Sequence, residues 1–116
     1  MRDKTLMMTM LSDFYGELLT EKQRSCFNMH WFEDLSLGEI AEVMGISRQG
    51  VRDLIVRGEA TLTVTEAKVG LIRRFEQQRK VLDSMESELS ELAQLCSGRA
   101  GEIVRSLSAE LEGIRN

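Results

Sequence analysis

Apolar residues recur along this chain at spacings of three and four, the period of an amphipathic helix. Leu6, Met10, Phe14 and Leu18 return at every fourth position, with Met7, Leu11 and Tyr15 widening the stripe, which predicts a first helix from about Leu6 to Leu18. Thr20 with Gln23 three positions on is a capping box, in which each side chain takes up the other residue's backbone N–H. It predicts a second helix from Glu21 to Phe32, with Cys26, Phe27, His30 and Trp31 inward. Glu33-Asp34-Leu35 reads as a short polar link. Ser36 and Glu39 repeat the box and open a third helix carrying Ile40, Ala41 and Met44, which Gly45 ends. Ser47 caps a fourth helix with Val51, Leu54 and Ile55 as its inner stripe, which Leu62 continues.

Beyond a β-branched stretch at Thr61, Thr63, Val64 and Thr65, read either as a bend or as weak helix, the period tightens to heptads. With Lys68, Phe75, Leu82, Leu89 and Cys96 at one seam position and Leu71, Gln78, Met85 and Leu92 at the other, seven of nine are apolar. One unbroken helix from about Glu66 to Cys96 follows from this reading, with a seam about 40 Å long. A last helix from Arg99 to Ile114 presents Ile103, Leu107, Leu111 and Ile114 beside Val104. The expectation is a head at residues 1–62 and a helical tail at 63–116. Tail packing or dimerisation falls to Leu71, Phe75, Leu82, Met85, Leu89 and Leu92, either in a homodimer or within one chain.

Composition narrows the fold class. There is no proline, and aromatic residues make up 5% of the chain, so helix breakers and strand anchors are both scarce. The expected class is all-α. No apolar run approaches the ~18 residues of a membrane span, and the basic, then apolar start is interrupted by Asp13 and Glu17 before a leader core would end. The start therefore reads as the first helix of a cytoplasmic protein with no membrane insertion. Cys26, Cys96 and the single His30 are too dispersed for a metal site, and both cysteines read as buried apolar residues. No nucleophile–base pair or phosphate-binding loop stands out. The expectation is a non-enzymatic protein without cofactors.

The formal net charge of -4 gives no general affinity for polyanions, but its distribution is uneven. Between positions 68 and 80, Lys68, Arg73, Arg74, Arg79 and Lys80 face Glu76 alone, whereas Asp83 to Glu112 holds seven acidic and two basic residues. Phosphates beside the head, an RNA, and the acidic last helix are three candidate partners for the basic stretch, the last being the simplest.

Leu37 to Ile55 has the organisation of a helix-turn-helix. Ala41 permits close crossing of the two helices and Gly45 the turn between them. Ile40, Met44, Ile46, Val51 and Leu54 complete the small core. The Ser47 cap starts the second helix, and Arg48, Gln49, Arg52 and, further on, Arg57 are its outward polar residues. Arginine suits guanine edges and phosphates, and glutamine suits adenine. Ser47, Arg48, Gln49, Arg52 and Arg57 are accordingly the candidate DNA-binding residues. Gly50 and Gly58 weaken the helix, and Asp53 and Glu59 bring negative charge near any phosphate.

Asp13 to Arg24, Glu33 to Glu42 and Gly45 to Gln49 resemble the YlxM-like family of small bacterial helix-turn-helix proteins, whose unit is similar to region 4 of sigma factors. The likeness is close over about residues 6–62. Ser47, Arg48 and Gln49 match the start of the family's recognition helix, and Val51 its inward position. Gly50 stands where alanine is common, Arg52 where an aromatic is common, and Gly58-Glu59 where threonine-glutamate is usual. The resemblance implies double-stranded DNA as partner and a role in transcription regulation. Through genomic neighbourhood it also implies an association with the signal recognition particle, either with its genes or as an adaptor to its protein or RNA.

Overall fold

The computed structural model describes residues 2–115 as six α-helices with no strand among them. Helix α1 spans Arg2–Tyr15, α2 Glu21–Trp31, α3 Leu37–Met44, α4 Arg48–Val69, α5 Leu71–Leu95 and α6 Gly98–Arg115. No helix among the described residues is long and apolar enough to cross a membrane. The chain divides into two compact units, one running to Ile72 and the other beginning at Arg73.

The expected helix starts are built as their sequences dictate. The Thr20 N–H donates to Gln23 Oε1 at 3.1 Å while the Gln23 N–H donates to Thr20 Oγ1 at 3.2 Å. The same reciprocal pair joins Ser36 and Glu39, at 2.9 and 3.1 Å. Ser47 Oγ accepts from the Gly50 N–H at 2.9 Å. At the Glu33–Leu35 link Asp34 turns the chain at φ 54°, a left-handed conformation that aspartate tolerates better than most residues.

Two clusters form the core of the first unit. One joins Met8, Leu11, Tyr15 and Leu19 to Phe27, Leu62 and Ile72. The other joins Cys26 to Ile40, Ala41, Val51 and Ile55 across α2, α3 and α4. Leu11 and Tyr15, expected at the side of the stripe, are thus at its centre with Met8 and Leu19, and of the expected Leu6–Met10–Phe14–Leu18 row only Met10 packs against the core. Helix α1 ends at Tyr15 and tightens into a 3₁₀ turn at Gly16–Leu18, which turns Leu19 in and leaves Leu18 59% exposed. Of the aromatic residues up to Phe32, Phe27 and Tyr15 are buried, Trp31 is half-buried, and Phe14 and Phe32 lie at the surface.

The continuous helix expected from Glu66 to Cys96 is interrupted. Helix α4 carries the Thr61–Thr65 stretch as regular helix and stops at Gly70, which takes φ 69° and ψ 28°, a left-handed cap that glycine adopts without strain. Lys68 thus closes α4 instead of opening a seam. The start of α5 is capped from a distance. Tyr15 Oη donates to Glu66 Oε1 at 2.6 Å and accepts from the Leu71 N–H at 3.1 Å. Glu66 Oε1 also accepts from the Ile72 N–H at 3.0 Å. Because Leu62 and Ile72 are core residues, the compact unit extends ten positions past the expected boundary at 62.

In the second unit α5 and α6 form a helical pair. Ile72 aside, α5 has no buried residue, and Leu82 and Leu89 are half-buried. Phe75, Met85 and Leu92 remain exposed, as does Leu71 at the end of the first unit, so four of the six expected packing residues are uncovered in the single chain. On α6 the buried positions are Gly101, Val104 and Leu111, whereas Ile103, Leu107 and Ile114 of the expected stripe stay exposed. Cys96 is half-buried and Cys26 fully buried. Arg115 of α6 pairs with Asp83 and with Glu86, the latter at 2.7 Å. These ion pairs run opposite to the expected match of a basic α5 with an acidic last helix.

Candidate nucleic-acid interface

Helices α3 and α4 make the helix-turn-helix. Gly45 takes φ 70° and ψ 32°, and its N–H and that of Ile46 both donate to the Ala41 carbonyl, at 2.9 and 3.2 Å. One carbonyl thus closes the turn. Ile40, Ala41 and Val51 are buried between the helices, and Met44, Ile46 and Leu54 pack half-buried against them. Ile55, expected on the inner stripe of α4, completes this cluster, whereas sequence reading placed Cys26 inward without assigning it here and missed Met29, Leu35 and Leu37 at the edge. Leu35 escaped because it sits in a link otherwise made of charged residues. Cys26 lies on a separate helix, whose packing partner the local pattern does not name.

Ser47, Arg48, Gln49, Arg52 and Arg57 are all exposed. They do not form one row. Arg48 and Arg52 are one turn apart, but Arg57 stands about 140° round the helix from Arg52, with Asp53 and Val56 between them in sequence. The Arg48 guanidinium lies across Gly38 at the start of α3, so close that a Cβ there would sit 3.2 Å from two of its nitrogens. The Gln49 amide donates to Asp53 Oδ1 at 2.9 Å. Arg52 borders a shallow cavity of about 310 Å³ shared with Lys4, His30, Trp31 and Glu59.

The acidic and glycine positions also have specific neighbours. Glu59 accepts from Trp31 Nε1 at 2.8 Å, which ties α2 to α4. Lys4 Nζ lies 5.5 Å from the centre of the Trp31 ring, and His30 meets that ring edge-on at 5.0 Å. Gly58 is buried, and a Cβ there would rest 3.6 Å from Leu19 Cδ1. It therefore marks the close approach of Leu19 to α4. A Cβ at Gly50 would come within 3.2 Å of Ser47 Oγ, crowding the cap. The Ser36 N–H and hydroxyl hold the Glu39 carboxyl below the usual carboxylate range, while burial pushes the Cys26 thiol up.

A capped helix presented across a glycine turn, on a three-helix core with exposed basic side chains, defines the helix-turn-helix class. The family described as "Putative helix-turn-helix protein, YlxM / p13 like" matches residues 2–99. The chain belongs to this family, UPF0122. It is 49% identical over 85 residues to a UPF0122 protein of Thermoanaerobacter sp. (strain X514), covering 73% of each chain. A UPF0122 protein of Listeria innocua is 44% identical over 90 residues, covering 78% of this chain and 82% of the relative. One of Shouchella clausii is 43% identical over 112 residues and 97% of both chains, so that similarity includes α5 and α6.

Proposed function

We propose that this protein binds double-stranded DNA as a homodimer, with α4 entering the major groove, and regulates transcription. The observation that carries the reading is the placement of Arg48, Gln49 and Arg52 on the first two exposed turns of a Ser47-capped helix. Arg48 and Arg52 would contact phosphates or guanine. Gln49 would exchange its Asp53 partner for a base edge. Ser47 and Arg57 would meet the backbone at the flanks.

A salt titration against genomic DNA fragments tests this reading. The logarithm of affinity should fall linearly with the logarithm of salt concentration, with a slope of about -0.9 for each phosphate neutralised. Arg48→Ala and Arg52→Ala should each weaken binding about tenfold, within the ~1–3 kcal/mol of a good arginine contact. No binding at low salt, or unchanged affinity in both variants, overturns it.

A second reading, in which the head is an adaptor for a protein or RNA of the signal recognition particle, is favoured by the tie between Gln49 and Asp53 and by the net charge of -4. Recovery from cells of the targeting GTPase or its RNA, without DNA, would select it. Neither reading assigns an enzymatic step or a cofactor.

A further inference from the structure

The second unit leaves apolar surface open along one face of α5. Two grooves run there and meet at Ile114. One, of about 580 Å³, is floored by Met85, Leu89 and Leu92 and edged by Glu88, Glu91 and Glu110. The other, of about 490 Å³, continues towards the start of α5 past Val81 and Gln78 to Arg74. The helical period places Arg74, Gln78, Val81, Met85 and Leu92 in a single row. Val81 is 58% exposed and Ile114 69%, where a helix pair of this length needs a covered apolar face to be stable. The row is graded in charge, basic at Arg74 and acidic at Glu88 and Glu91.

We infer that the occupant of this continuous groove is the same groove of a second copy, laid antiparallel about a twofold axis near Asp83, making a four-helix bundle. Charge complementarity selects both occupant and direction. A parallel pairing stacks Arg74 on the partner's Arg74 and the glutamates on one another. The antiparallel pairing sets each basic end on an acidic end. The register that puts Val81 against the partner's Met85 also puts Gln78 against the partner's Glu88. It brings Arg74 to the partner's Leu92, one position from the partner's Glu91. Val81 and Met85, and Arg74 and Leu92, then meet each other across the axis, and Gln78 meets the edge residue Glu88, so that both copies use the same patch, as an isologous interface requires. The inference rests on the homodimer of the preceding section but not on DNA binding.

The test uses the full chain with a nitroxide on Cys96, which follows the last residue of α5. Cys26 is buried and should label poorly under native conditions. With the axis near Asp83, pulsed dipolar spectroscopy should give a separation of about 40 Å, from 1.5 Å per residue on either side of the axis. A parallel dimer brings the two labels within roughly 20 Å, given interhelical distances of ~8–10 Å.

Sedimentation equilibrium supplies the second readout. Arg74→Glu alone, and Glu88→Lys with Glu91→Lys, should each raise the dimer dissociation constant about tenfold or more, and all three on one chain should restore it. Helix content by circular dichroism confirms folding of each variant. A short spin–spin distance, or a dissociation constant indifferent to these reversals, overturns the antiparallel bundle and leaves the DNA reading standing. A chain that stays monomeric at all concentrations overturns both the bundle and the homodimer.

Discussion

Tyr15 shows how one hydroxyl organises a junction. It donates to Glu66 and accepts from the first amide of α5, so a polar tip at the edge of an apolar cluster joins three helices. Tyr15→Phe keeps the ring in the core but leaves the Leu71 N–H without this acceptor. Stability should fall by about 1–2 kcal/mol, read by urea denaturation of the full chain. Glu39 gives a pH-dependent counterpart. Its carboxyl is held low by hydrogen bonds from Ser36, so its contribution to stability is present above the ordinary carboxylate range and is lost as pH falls through the lowered value. Glu39→Gln retains a side-chain acceptor for the capping box while removing the charge. The variant should melt below the parent at neutral pH, and the gap should close in acid. A gap that is constant with pH would mean that the carboxylate contributes no more than the amide.

Gly58 and Gly70 separate two uses of glycine within one element. Gly58 is a regular helical residue with ordinary contact distance to Leu19, so Gly58→Ala should gain up to about 1 kcal/mol from helix propensity. Gly70 has φ 69°, and Gly70→Ala should lose about 1 kcal/mol or more in the same denaturation experiment. The sequence pattern marks both residues as glycines, but only the capping of Leu71 and Ile72 by Tyr15 and Glu66 makes position 70 a stop. Glu66 is close by, but Tyr15 lies 56 positions from Leu71, so a heptad count sees an unbroken seam. By contrast, the Thr20, Ser36 and Ser47 caps and the Gly45 turn are legible because each is completed within a few residues. The outward set Ser47, Arg48, Gln49, Arg52 and Arg57 follows from periodicity for the same reason. What periodicity misses is what each side chain finds across a neighbouring helix: Arg48 over Gly38, Trp31 on Glu59, Leu19 against Gly58. The shift of the α1 stripe has a similar origin. Leu6, Met7 and Met8 are equally apolar in composition, and the partners Phe27, Leu62 and Ile72 select Met8.

At the scale of the molecule, the two cysteines divide between the two units, and their chemistry reports on the units separately. Cys26 is completely buried between α2, α3 and α4, and desolvation raises its thiol above the ordinary value, so the nucleophilic thiolate is both scarce and inaccessible in the native state. Cys96 follows α5 in the other unit and is only half-buried. Alkylation of the native protein by iodoacetamide should therefore be biphasic, with Cys96 reacting first and Cys26 slower by a factor on the order of 100 or more, because Cys26 must wait for its cluster to open. Sub-denaturing urea should accelerate the Cys26 phase in proportion to the surface exposed by that opening, while the Cys96 phase changes little. Ala41→Leu, which overfills the crossing of α3 and α4, should raise the Cys26 rate and leave the Cys96 rate unchanged. Equal acceleration of both thiols in the variant would instead mean that the two units open as one cooperative body. Mass spectrometry of the labelled peptides distinguishes these outcomes directly, since the cysteines lie 70 positions apart.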